Sequence, residues 1–166
     1  MFLEEFYDYK NQLIGDLMTK ESIVTLINEN VPFEKAQSLI YDQVFPFEFV
    51  PETSQEGKTY ICCDVDIQKS DKSGLFYYPI IYVWVFAHKS RLVLPEGGVR
   101  TDKLCCEICK AINGSRMYGA GELVMYAARR FAPMTDYQGK CLVFHAKDFN
   151  NTYDPKRPIP SNRKTG

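Results

Sequence analysis

Residues 75–89 read LFYYPIIYVWVFAHK, with apolar or aromatic side chains at almost every position. Successive side chains of a strand point to opposite faces, so such a run is stable only where both faces are covered. Its most apolar window, YYPIIYVWVFA, is about half the length that a helix needs to cross a bilayer, which excludes a membrane span. Its β-branched and aromatic content instead predicts the central strand of a sheet, which the rest of the chain must flank and cover.

The flanking sequence supplies candidates for both tasks. In TYICCDVDIQ (59–68), Ile61, Cys63, Val65 and Ile67 alternate with Cys62, Asp64 and Asp66, as in a half-buried strand with its acids outward. The polar turn KSDKSG joins it to the central run as a hairpin. GELVMYAARRF and KCLVFHAKDF read as two more strands about the turn APMTDYQG. VFPFEFVPE carries two prolines in an apolar run and is predicted to be an extended edge. At the N-terminus, Phe2, Phe6, Tyr9, Leu13 and Leu17 share one helical face over residues 2–18. TKESIVTLINEN restarts a short helix with Thr19 as its cap, and FEKAQSLIYDQ gives a further helical or irregular piece. The predicted class is α+β: a small, mainly antiparallel sheet packed by a long helix, with a helical N-terminus. At 45% hydrophobic residues, positions 1–150 can bury one core and form one domain.

The long helix contains Cys105, Cys106 and Cys109. Thr101 or Asp102 can cap it and Asn113-Gly114 can end it. Between these limits Thr101, Leu104, Cys105, Ile108, Cys109 and Ile112 recur at three- and four-residue steps, which places Cys105 and Cys109 on the apolar stripe. Cys106 and Cys109 form a C-x-x-C, but redox pairs sit at a helix N-terminus and these lie past the first turn. Structural zinc needs further ligands, whereas Cys62 and Cys63 are adjacent on a strand and Cys141 stands apart. Packing is the expected role, with no cofactor. A metal enzyme using Cys106, Cys109 and a histidine is the alternative.

Other catalytic signals are weak. The sequence has no G-x-S-x-G, P-loop or H-E-x-x-H, and its GGVR and YGAGE glycines match no dinucleotide fingerprint. His88 and His145 lie near strand ends, where a structural hydrogen bond is the commoner role. Asp64 and Asp66 share a strand face, which suits either a cation or, more simply, solvation. A non-enzymatic protein is expected. The acidic, aromatic start MFLEEFYDYK lacks the basic and apolar parts of a signal peptide, so reduced thiols of a protein made inside the cell are expected. An isoelectric point near 6.1 and the absence of a recognisable module argue against sequence-specific nucleic-acid binding.

Charge is uneven along the chain. Residues 1–60 carry a net of −7 and residues 61–166 a net of +6, which favours head-to-tail association of copies. Residues 151–166 contain three prolines and four basic residues against one acid. They read as an extended arm unable to pack on its own. The loop Ser90–Arg100 and this arm are the candidate contact elements, with Arg91, Arg100, Asp102, Lys156, Arg157 and Arg163 as candidate contact residues.

The order of elements, with VFPFEFVPET, a hairpin ending in VFAHK, GVRTDKLCCEICKAINGS, YGAGELVMYAARRF and GKCLVFHAKDFN, resembles head-to-tail connector proteins of tailed bacteriophages over about residues 10–150. It is most similar to the tail terminator, or tail completion, type. That resemblance implies a structural protein of the virion neck, made in the host cytoplasm. It implies a ring of about six copies, with the tail tube protein and a head connector or stopper as partners and DNA passing through. The longer helical N-terminus and the basic arm depart from the simplest pattern and leave a stopper or adaptor ring as the alternative.

Overall fold

A computed structural model describes residues 4–52, 57–68 and 74–149. Helix α1 (Glu4–Met18) and helix α2 (Glu21–Ile27) are followed by a 3-10 segment, Phe33–Leu39, with a kink at Lys35. Then come β1 (Val44–Phe45), β2 (Thr59–Gln68), β3 (Phe76–His88), α3 (Arg100–Ile112), β4 (Val124–Phe131), β5 (Tyr137–His145) and β6 (Asp148–Phe149). The sheet order is β1-β2-β3-β5-β4, with β6 pairing the start of β3. All pairings are antiparallel except β1 with β2. The class is α+β, and the doubly apolar run is indeed the inner strand β3.

Strand alternation divides the core in two. Ile61, Cys63, Val65, Ile81, Val83, Val85, Leu142 and Phe144 face α1, α2 and α3 in the main cluster, with Leu13, Leu17, Ile23, Ile27, Leu104 and Ile108 from the helices. The opposite face carries a smaller aromatic cluster of Phe45, Tyr60, Cys62, Phe86 and Tyr137. Phe45 stacks on Phe49 at 4.1 Å between centroids, so the proline-bearing segment after β1 folds over this face. Cys62, expected to point outward with the two aspartates, is therefore fully buried beneath aromatic rings. Pro79 is tolerated in β3 because the β5 ladder reaches only Ile80; the Pro79 carbonyl still accepts from Ala146 N–H at 3.0 Å.

Two expected helix caps are corrected. The Thr19 hydroxyl donates to Asp16 C=O at 2.6 Å, so it closes the end of α1, and α2 starts after Lys20 with no side-chain cap. Neither Thr101 nor Asp102 caps α3, because the helix begins at Arg100, with Val99 in the cap position. Thr101 lies buried inside the first turn instead, and Asp102 is the first-turn acid that favours the positive helix end. Asn113 and Gly114, the latter at φ 81°, end the helix as expected. The arm, residues 151–166, lies outside the described residues.

Candidate subunit-contact surface

Strand β4 is the outermost of the sheet on one side; at its start Met125 N–H donates to Asn113 Oδ1 at 2.8 Å, so the edge left open among the described residues lies beyond Met125. Helix α3 packs on β3 and β5 and touches the start of β4, where Cys109 Sγ lies 3.8 Å from Met125 Sδ; six of the eight residues of β4 are exposed. Val124, Met125 and Tyr126 are 55, 41 and 66% exposed, a run of large apolar groups at the start of an edge strand. Tyr126 occupies a bulge between Met125 and Ala127 and stacks on His145 at 4.3 Å. Arg129 and Arg130 are exposed farther along. The sequence AARR lacks bulky apolar groups for either face, which is the readable sign of a strand with no layer packed on it.

The opposite edge differs in kind. β1 pairs only Ile61 and Cys62 of β2. Beyond them, Asp64 binds Lys10 of α1 and Asp66 is exposed. These two acids face outward as expected.

The loop Ser90–Arg100 is braced from within. Arg100 is 5% exposed. Its Nε donates to Arg91 C=O at 2.8 Å, its Nη1 donates to Leu26 C=O at 2.9 Å, and Glu29 Oε2 lies 3.4 Å from Nη1. The guanidinium thus ties the loop to the end of α2. Arg91 is more exposed and donates from Nη2 to Glu29 Oε2 at 2.7 Å. Burial would raise the Glu29 carboxyl, but its own backbone hydrogen bond and the charges of Arg91 and Arg100 hold it below the usual range. Asp102 is exposed and sits 3.2 Å from Lys140 Nζ. Arg91, Arg100 and Asp102 therefore gather at the start of α3, whereas Lys156, Arg157 and Arg163 lie outside the described residues.

Beside this loop, α2 and α3 flank an open groove of about 630 Å³. Leu26, Leu94 and Pro95 give it an apolar floor, and Glu21, Glu96 and Glu107 stand around it. Lys103 Nζ lies 2.8 Å from Glu96 and Lys110 Nζ lies 2.7 Å from Glu107. Nothing in the periodicity of either helix signals this groove, because its walls come from separate segments.

The cysteines pack. Cys105 lies in the main core and burial pushes its thiol up to about 12. Burial likewise raises Cys62 to about 12, and Cys63 further. Cys109 is half-buried, its Sγ 3.8 Å from Met125 Sδ, while Cys106 is exposed. Among the described residues no group of three or more His, Cys, Asp or Glu side chains is placed to hold a metal ion. The histidines sit in structural settings: His88 Nδ1 lies 2.7 Å from Ser90 Oγ and its ring is edge-on to Tyr137.

Comparisons with known proteins extend this picture. The family model described as YomW matches residues 11–146, and the chain belongs to that family. Among solved structures, the chain is similar in fold to one from the virion of a native gene transfer agent particle. Identity is 18% and the TM-score 0.54, over 82% of this chain and 91% of that one. No curated protein matches it.

Proposed function

We propose that this chain is a structural, non-enzymatic virion protein that assembles as a ring at the head-tail junction of a tailed phage or phage-like particle. There it ends the tail tube and joins it to the head connector, in the manner of a tail terminator. The fold likeness to a virion chain of a gene transfer agent supports a particle role. The observation that carries assembly is the β4 edge: an outermost strand with six of its eight residues exposed, Val124 and Tyr126 among them, and with its backbone edge open beyond Met125 among the described residues. Such an edge recruits another chain through backbone hydrogen bonds and apolar contact. A ring requires that one patch meet a different patch on the next copy, and the sheet has two unlike edges to offer. The loop at Arg91 and Asp102 adds charged contacts, Arg100 acts by holding that loop, and Lys156, Arg157 and Arg163 contribute from the arm.

The test is the solution mass by light scattering, with negative-stain images of the same sample. A closed ring of six 19.2 kDa chains would weigh about 115 kDa. A closed particle of that order is expected. A mass that remains that of one chain at every concentration would refute a self-closing ring.

A further inference from the structure

We infer that the open part of the β4 edge pairs antiparallel with the open part of the β2 edge of a second copy of this chain, with Arg129 opposite Asp66. The inference rests on the ring reading above and goes beyond it by naming the two strands, their sense and their register. On one side of the sheet, β1 takes the β2 edge only as far as Cys62, which leaves residues 63–68. On the other, the Asn113 side chain takes the Met125 N–H, which leaves residues 126–131 of β4. The two stretches are equal in length. The path β2-β3-β5-β4 is antiparallel at each step, so β2 and β4 run in opposite senses. A neighbour that continues the sheet with its helices on the same side therefore lays its β2 antiparallel to β4.

Backbone direction and side-chain face then restrict the register. Ile61 N–H donates to Gln43 C=O and Val65 N–H to Asp64 Oδ1, so the odd-numbered residues of β2 turn their backbone groups outward. In β4, Met125 turns outward opposite Phe144 and Ala127 turns inward opposite Val143, which leaves Ala128 and Arg130 outward. Cys62, Trp84, Cys141 and Arg129 form one row across the sheet, so Arg129 and Asp66 project from the same, aromatic face. Registers that set outward groups against outward groups differ by steps of two residues. One of them places Arg129 opposite Asp66, with Val65 bonded to Arg130 and Ile67 to Ala128. Both charged groups are exposed, and among the described residues neither is in an ion pair. A step one way sets Arg129 against Gln68. A step the other way sets it against Asp64, which Lys10 already holds, and drives Phe131 against Cys62, whose edge β1 occupies. In the favoured register Arg130 C=O replaces Asp64 as acceptor for the Val65 N–H, an exchange of one hydrogen bond for another.

The experiment uses the full-length chain with Cys106→Ser, which removes the exposed thiol, and adds Asp66→Cys in one preparation and Arg129→Cys in another. Opposed residues of a non-hydrogen-bonded antiparallel pair lie about 4.5 Å apart at Cα, within the span of a disulfide. Mild oxidation of the mixture should link position 66 of one copy to position 129 of another, read by non-reducing electrophoresis and peptide mass spectrometry. A chain carrying both substitutions should give a ladder of linked copies. Charge reversal supplies a second readout: Asp66→Arg should weaken association by about tenfold or more in light scattering, and adding Arg129→Asp should restore it. A link between two positions 129 would show β4 paired with itself and overturn the proposal, as would a mixture that yields no link from 66 to 129. If that failure comes with a mass that still shows a ring, this strand pairing alone falls; a mass that remains that of one chain removes the ring as well.

Discussion

Replacing Arg100 by Met should destabilise the protein far more than replacing Arg91 by Met, although both arginines stand in the same basic loop. Methionine keeps most of the stem packing but removes the guanidinium. Two backbone carbonyls, of Leu26 and Arg91, then lose a charged donor held at 2.9 and 2.8 Å in a site where Arg100 is only 5% exposed. Hydrogen bonds from charged groups contribute about 1.5–3 kcal/mol each. Removing the cost of burying the guanidinium offsets part of that loss, leaving about 3 kcal/mol net. In a chain of this size that corresponds to a fall in melting temperature of roughly 6–12 °C. Arg91 pairs with Glu29 at the surface, with the carboxylate 45% exposed, so its loss should cost about 0.2–1 kcal/mol. Thermal melts followed by circular dichroism at neutral pH compare the two. Glu29 adds a pH signature: its folded carboxyl lies below the usual range, so its contribution is present above that range and fades as the solution is acidified through the folded value. The gap between wild type and Arg100→Met should therefore narrow, without closing, in acid. Equal losses in the two variants would refute the assignment of Arg100 as the internal tie.

Other perturbations separate core, sheet and surface. Tyr126→Asp with Val124→Lys should leave the melting temperature within about 2 °C, since exposed substitutions cost little, yet should lower the mass seen by light scattering; unchanged association would remove β4 from the contact surface. At Gly139 a Cβ would run into the Val85 carbonyl and lie 2.6 Å from Phe86 Cα, so Gly139→Ala should cost about 3 kcal/mol or more or prevent folding, read by soluble yield and chemical denaturation. Tyr118 donates to Asp16 Oδ2 at 2.7 Å and Tyr9 to Asp148 Oδ2 at 2.8 Å, and burial followed by these carboxylates pushes both phenols well above their ordinary value. Unfolded tyrosine ionises first, so stability should hold below about pH 10 and fall above it. Tyr118→Phe should cost about 1–2 kcal/mol at neutral pH and soften that alkaline fall, measured by urea titration across pH 8–11. Of the six thiols, exposed Cys106 should react first with a maleimide, and Cys62, Cys63 and Cys105 only on unfolding.

What the sequence disclosed follows physical reach. The doubly apolar run around Trp84, the alternation of Ile61, Cys63 and Val65 and the three- and four-residue steps of Leu104, Cys105 and Ile108 are local periodicities, and each became the element it implied. Caps were less legible. A threonine hydroxyl serves either the helix behind it or the one ahead, and Thr19 serves Asp16 behind it. Cys62 was misread because a sheet face can be covered by a second cluster from an irregular segment, here Phe45 and Phe49, that leaves no periodic mark. At the surface, Arg91, Arg100 and Asp102 looked alike as charges in and after a loop. Only the fold distinguishes a guanidinium locked on two carbonyls from one paired at the rim and from a carboxylate beside Lys140.

The two edges of the sheet bear on how copies of this chain would meet. One edge ends in the two-residue β1 and continues as the acidic stretch Asp64–Asp66, partly screened by Lys10. The other is β4, full length, apolar at its start and carrying Arg129 and Arg130 toward its end. Pairing β4 with a second β4 would make an isologous contact, bring four arginines into one pair of strands and leave the acidic half of each copy unmatched. A twofold pairing runs the strands antiparallel and sets the arginines of each opposite the apolar start of the other; what it forgoes is the neighbour's acidic half, and meeting that half relieves the charge imbalance in both. The favoured contact is thus heterologous, and a heterologous contact either closes into a ring or continues as a filament.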